Sequence, residues 1–290
     1  MSVRRPTRAA GSVRRRTPEV KRRSAGLSPV RAAAALAIVA ASLGVYGAAT
    51  SAVFSFARLE VVGDRWTDTE LVRRTLAIPD GANLFRLSTD ALVERLEGLP
   101  TVRRVEVSVA LPDMVIVRLA ERTAIMTWRI GDHRYLVDET GTLFADEPGD
   151  TPLTGPDEES LPAIDDRRFL SVTYLLGDRM PATDIDVATR LGSLTPADIG
   201  SAATALVVSI HDDEGFVVRA VSPGWRAVFG FYTPELRKPA IIPGQVRLLR
   251  SLLLGREDSV GRVILATETD GTFTTRETPR PSPSPSPAVP

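Results

Sequence analysis

From Ala32 to Ala57 the chain runs for 26 residues without a charged side chain, and no other feature restricts its architecture as strongly. As a helix rising about 1.5 Å per residue, this stretch reaches ~39 Å, more than the ~30 Å hydrocarbon core of a bilayer. Eleven of the 26 residues are alanine, so Leu36, Ile38, Val39, Leu43, Val45, Val53, Phe54 and Phe56 supply most of the transfer energy. Ala33, Ala37, Ala40, Gly44 and Ala48 share one helical face. Small residues so spaced let a second membrane helix approach, and an alanine-rich composition produces the same pattern without one. Charge divides around the stretch: residues 1–31 hold ten basic side chains and one acid, Glu19, and the remainder holds 26 basic and 35 acidic ones. The formal net charge of zero therefore conceals a +9 tail and a −9 remainder. Arginine excess on the N-terminal side predicts a cytoplasmic N-terminus and an exported C-terminal part. Gly47 and Ala49 form a small-x-small pair of the kind a signal peptidase accepts. The long basic region and an apolar run beyond the usual ~7–15 residues favour an uncleaved anchor instead.

Two basic clusters, Arg14-Arg15-Arg16 and Lys21-Arg22-Arg23, have no aromatic residue interleaved for base stacking. Contact with the cytoplasmic membrane surface is expected of them, and specific nucleic-acid binding is not. The absence of cysteine excludes disulfides, thiolate metal sites and cysteine catalysis. Two histidines leave little room for a histidine-rich metal site, and His133 and His211 read as surface turn residues. No G-x-S-x-G, H-E-x-x-H, Walker lysine motif or G-x-G-x-x-G occurs, and neither lysine, Lys21 or Lys238, follows a serine by three. No catalytic residue, cofactor or metal is predicted. A carboxylate pair for glycoside cleavage is a spatial feature, on which 35 scattered acids are uninformative.

Residues 58–122 read as a β-α-α-β-β unit. Phe56 to Val62 makes a strand, and Thr67-Asp68-Thr69-Glu70 fits a capping box with Thr67 as cap. Leu71, Val72 and Leu76 then line a buried helical face. Ser88 caps a second helix that buries Leu92, Val93, Leu96 and Leu99, ended by Gly98 and Pro100. Val105, Val107 and Val109 alternate with polar residues as a strand, Leu111-Pro112-Asp113 turns, and Val115, Val117 and Leu119 face inward on the next strand.

The run Leu99-Pro100-Thr101-Val102-Arg103-Arg104-Val105-Glu106-Val107, followed by Leu111-Pro112, Val115-Ile116-Val117 and Glu121-Arg122, resembles a polypeptide-transport-associated (POTRA) domain. It is most similar to the version found in the FtsQ/DivIB cell-division family. Leu59-Glu60-Val61-Val62-Gly63 and Gly81-Ala82-Asn83-Leu84-Phe85 fit the same pattern. Trp128, Leu136-Val137-Asp138 and Gly141-Thr142-Leu143-Phe144 resemble the start of that family's second, β-rich domain. The chain departs from the pattern at Ala124, where a proline is usual, and at Val263-Ile264-Leu265, which lacks an acid.

The expected organisation is a basic cytoplasmic tail (1–31), a transmembrane helix (32–57), the POTRA-like domain (58–122), a β-rich domain (123–276) and a Pro/Ser-rich extended tail (277–290). The fold class is α+β, with a mainly antiparallel sheet backed by helices. Residues 145–160 carry six acids and no base, and read as a solvated loop whose spacing fits no EF-hand. Residues 184–200 are expected to be partly helical, and Gln245 to Leu254 to form an amphipathic helix. A final hairpin turns on Asp270-Gly271, which would set Glu268 opposite Phe273 and Ala266 opposite Thr275. Its last strand is expected to present an open edge for strand addition, with Leu265, Thr267, Phe273, Thr274 and Thr275 as candidate partner-binding residues.

The resemblance implies a non-enzymatic single-span scaffold at the division septum. Its outer domains would bind FtsB/DivIC-like and FtsL-like proteins and other divisome membrane proteins, in support of septal peptidoglycan synthesis. Two other classes remain open at this point: a POTRA-bearing transport or secretion component, and a membrane-anchored wall hydrolase. The first usually carries repeated POTRA modules and a barrel, and the second needs a catalytic dyad.

Overall fold

The computed structural model describes residues 28–276 apart from 64, 149–160 and 223. The basic tail up to residue 27, most of the predicted acidic loop and the Pro/Ser-rich tail lie outside the described residues. The chain divides into two compact units, residues 1–51 and 52–290.

The first unit contains α1 (Pro29–Thr50), 22 residues that rise ~33 Å. Pro29 suits the first turn, where a backbone N–H has no helical acceptor. Pro29–Gly47 is long enough and, at a mean hydropathy of 1.7, apolar enough to cross a membrane, and none of it is buried. The helix ends seven residues before Ala57, the expected limit of the span. The last apolar residues of the uncharged run have a different use. Phe54 packs edge-on against Phe85 at 5.1 Å, and Phe56 is buried in the core of the POTRA-like unit.

That unit is built from β1 (Arg58–Val62), α2 (Thr69–Leu76), α3 (Thr89–Glu97), β2 (Val102–Ala110) and β3 (Met114–Glu121). Its sheet has the order β1-β3-β2, with β3 parallel to β1 and antiparallel to β2. Val105, Val107, Val115, Val117 and Leu119 point to one face, where Val72, Leu76, Leu92 and Leu96 of the helices close the core. Ser88 caps α3 as the sequence predicts, its hydroxyl accepting from Ala91 N. The cap of α2 is Asp68, not Thr67: the Asp68 carboxylate accepts from Glu70 N. Thr67 is instead wholly buried, its hydroxyl 2.7 Å from that of Thr101. In α2 only the i, i+4 pair Val72 and Leu76 turns inward, so Leu71 is 37% exposed, against expectation.

The second sheet has nine strands: β4 (Met126–Ile130), β5 (His133–Val137), β6 (Leu143–Pro148), β7 (Ala163–Asp166), β8 (Leu206–His211), β9 (Gly215–Ala220), β10 (Arg226–Gly230), β11 (Val260–Leu265) and β12 (Gly271–Thr275). Their order is β12-β11-β10-β9-β8-β7-β4-β5-β6. Five neighbouring pairs are antiparallel; β10–β11, β4–β7 and β7–β8 are parallel. One face is covered by α4 (Ala182–Gly192) and α5 (Ile242–Leu253), which bury Leu191, Leu249 and Leu253 against Trp128, Ile164, Val218 and Val263. Asp146 and Glu147, expected in a loop, extend β6. Asp146 Oδ2 lies 2.8 Å from His133 Nδ1, and Glu147 accepts from Arg134 at 3.3 Å. His133 and His211 are likewise strand residues rather than turn residues, at the start of β5 and the end of β8.

Arg122 joins the two sheets, and its neighbour Glu121 holds the segment before α2. The Glu121 carboxylate accepts the backbone N–H groups of Arg65, Trp66 and Thr67 at 2.8–3.0 Å. Arg122 donates to Pro100 O at 2.8 Å and to Asp138 Oδ2 at 2.6 Å. Asp138 Oδ1 accepts from Thr140 N, the Thr140 hydroxyl and Thr142 N, all within 2.9 Å. Burial alone pushes the Asp138 carboxyl up, but the Thr142 N–H, the Arg122 guanidinium and the Thr140 donors together hold it below its ordinary value. Beside this joint, the Trp66 ring meets Phe144 edge-on at 6.3 Å.

Candidate partner-binding edge

β12 ends the nine-stranded sheet, and among the described residues it pairs with β11 alone. The register differs from the one Asp270-Gly271 implies. Phe273 lies opposite Val263, Thr272 opposite Ile264 and Gly271 opposite Leu265. Residues 266–270 form a five-residue loop instead of a two-residue turn. Thr267 organises it, its hydroxyl accepting from Thr269 N and Asp270 N, while Ala266 N and Thr267 N both donate to Asp270 O. Local side-chain capture of backbone donors has overridden the Asp-Gly signal. Near the other end of the strand, Arg262 and Val260 face Thr274 and Thr275, with a bulge between them.

Two backbone hydrogen bonds fix which groups of β12 are free. Ala266 N donates to Asp270 O at 2.9 Å, and Arg276 N donates to Ser259 O at 2.7 Å. The N–H and C=O of a residue in an antiparallel strand point to the same side, and the side alternates along the chain. Thr272 and Thr274 therefore turn their backbone groups to β11, and Gly271, Phe273 and Thr275 turn theirs to the open side. Thr272, Phe273, Thr274 and Thr275 are all exposed, and the Phe273 ring sits under the Arg256 guanidinium at 5.5 Å.

Of the candidate residues, Phe273, Thr274 and Thr275 stand on this edge strand and Thr267 stands in the loop before it. Leu265 has a different place. Its side chain is 1% exposed, and its carbonyl accepts from Arg237 Nη2 at 2.6 Å and Gln245 Nε2 at 3.0 Å. The wholly buried Gln245 also accepts from the Tyr232 hydroxyl at 2.6 Å, and burial pushes that phenol far above its ordinary value. These three polar side chains pin the end of β11 and so the point from which β12 departs. Sequence reading missed them; a glutamine on the apolar face of a predicted amphipathic helix was the available signal. Among the described residues, no group of three or more His, Asp or Glu side chains is placed to hold a metal ion.

An apolar helix, a β-α-α-β-β unit and a larger mixed sheet with an open terminal edge define the architecture. Residues 54–122 match the family model described as "POTRA domain, FtsQ-type". The chain is 31% identical over 118 residues to a "Cell division protein FtsQ" of Corynebacterium glutamicum, covering 39% of this chain and 53% of that protein. A relative of the same name from Mycolicibacterium smegmatis is 26% identical over 182 residues, covering 63% of this chain and 53% of that one. One from Mycobacteroides abscessus is 29% identical over 123 residues, covering 42% and 39%. The chain thus spans about half or less of the length of the curated relatives it matches. The resemblance to the FtsQ/DivIB family read from the sequence holds.

Proposed function

We propose that the chain is a single-pass membrane protein of the cell-division machinery that acts as a scaffold and not as an enzyme. Its N-terminus is cytoplasmic, α1 spans the cytoplasmic membrane, and the two sheets stand outside. The FtsQ-type POTRA match and the names of its relatives support the division role. The observation that carries the binding reading is the free side of β12, where Gly271, Phe273 and Thr275 present backbone donors and acceptors with no neighbour among the described residues. An added strand satisfies such groups, and the side chains beside it supply specificity. The strand would come from an FtsB/DivIC-like protein, with FtsL-like and other divisome membrane proteins in the same assembly. Through that assembly the protein would help septal peptidoglycan synthesis. A fluorescent fusion of the full chain in dividing cells tests this reading. Accumulation at mid-cell is expected, and an even distribution along the membrane of constricting cells contradicts it.

A further inference from the structure

The sheet face turned away from α4 and α5 is built from arginines in cross-strand register. Arg129 of β4 pairs with Arg134 of β5, Arg219 of β9 pairs with Arg226 of β10, and Arg226 in turn pairs with Arg262 of β11. Like charges directly opposite one another destabilise a sheet. Carboxylates relieve part of this: Glu147 for Arg134, and Glu214 for both Arg226 and Arg262. Arg129 and Arg219 are exposed and form no ion pair among the described residues, although Asp165 of β7 lies opposite Arg129 in register. Both arginines line a cavity of about 470 Å³ together with Val207, Ala163 and Leu161. Among the described residues its one lining carboxylate is Asp165, which Arg167 holds at 2.7 Å.

We propose that this face is a docking surface for an acidic, extended segment of a partner protein, in which carboxylates alternate with apolar side chains. The guanidinium fork matches a carboxylate two-pronged, and Arg129 and Arg219 are the two left to be matched. Successive side chains of a strand point to opposite faces, so alternate carboxylates all turn toward the arginines and the apolar residues between them turn away from the surface. A nucleic acid fits less well. Among the described residues no aromatic side chain lines the cavity for stacking. The surface is separate from the free side of β12, so its test is independent of the proposed division role.

The test uses the full chain in detergent micelles. A fluorescein-labelled synthetic peptide alternating Glu with Val is titrated by anisotropy against its Gln-for-Glu counterpart. The proposal expects the Glu peptide to bind at least about tenfold more tightly than the Gln peptide. It expects Arg129→Ala with Arg219→Ala to remove at least about that factor while the melting temperature holds. Affinity should also fall with added salt. Equal binding of the two peptides, or binding unchanged by the double substitution, overturns it. Arginine-dependent binding of polyphosphate without binding of the Glu peptide also overturns it, in favour of a polyanion site. Glu-peptide binding that emerges only after Asp150, Asp157, Glu158 and Glu159 are neutralised to Asn and Gln overturns it too, in favour of the chain's own acidic segment. If the double alanine variant does not fold, Arg219→Gln alone, which breaks no side-chain hydrogen bond or ion pair among the described residues, carries the comparison.

Discussion

Replacing Arg122 with alanine removes the one cationic partner, among the described residues, of a carboxylate that has little access to water. The Arg122 and Asp138 side chains are only 19% and 6% exposed, and their contact is 2.6 Å. Breaking a buried ion pair from one side costs ~3–5 kcal/mol, because the remaining charge stays buried without compensation. Asp138 keeps its two N–H donors and the Thr140 hydroxyl, so the lower end, about 3 kcal/mol, is expected here. At roughly 2–4 °C per kcal/mol for a chain of this size, the melting temperature should fall by about 6–12 °C. The assay is thermal unfolding of the chain from residue 52 onward, followed by circular dichroism. The pH dependence supplies a second reading. The folded carboxyl of Asp138 titrates below its ordinary value, so its contribution is full above the unfolded pKa of ~3.9 and is lost as pH falls through the lower folded value. The gap between wild type and Arg122→Ala should therefore be widest above about pH 5 and narrow in stronger acid. A variant that melts with wild type at neutral pH, or a gap that widens in acid, refutes the view that this pair clamps the two sheets together.

Leu96→Ala should cost ~2–5 kcal/mol, since Leu96 is fully buried in the POTRA-like core, whereas Leu71→Ala should stay within ~0.5 kcal/mol. Melting curves that show equal losses for the two would contradict the α2 face described above. Topology is testable because the chain has no native cysteine. A cysteine at the exposed Ser251 of α5 should react with an impermeant thiol reagent on intact cells, and one at Ser12 should not. The reverse pattern contradicts an N-terminus inside the cytoplasm. Ser171 is unsuitable as the outer probe, being 2% exposed and bonded to Arg168 O.

Much of the POTRA-like unit is legible in the sequence because its signals are local. Alternation gives β2 and β3, Ser88 gives the start of α3, and the i, i+4 spacing of Leu92 and Leu96 gives its buried face. Errors arise where two local signals compete. Thr67 and Asp68 are both good caps, and a buried hydroxyl contact with Thr101, 34 residues away, decides between them. Phe54 and Phe56 look like the end of a span because hydropathy does not distinguish a lipid environment from a protein core. In the larger sheet, strand positions follow from pattern but neighbours do not. The parallel contacts β4–β7 and β7–β8 join segments separated by long connections that no short-range signal encodes. The existence of the terminal hairpin was legible, and its register was not, because Thr267 rather than Asp270-Gly271 shapes the loop. The edge position of β12 followed from its being the last strand. The sidedness of its backbone groups required the register, which makes Phe273 the residue to perturb. The arginine rows were invisible for the same reason: Arg219, Arg226 and Arg262 become neighbours only through pairing.

Proline at position 273 tests the proposed scaffold role most directly. The substitution removes an outward N–H from β12 and leaves its bonds to β11 in place, so the ladder within the chain is spared. The full chain would be purified from cells and probed for the proposed FtsB/DivIC-like partner, wild type beside Phe273→Pro, with circular dichroism to establish that the variant is folded. The account predicts a folded Phe273→Pro protein that loses most of the co-purifying partner. A folded Phe273→Pro protein that retains its partner at the wild-type level contradicts strand addition at this edge.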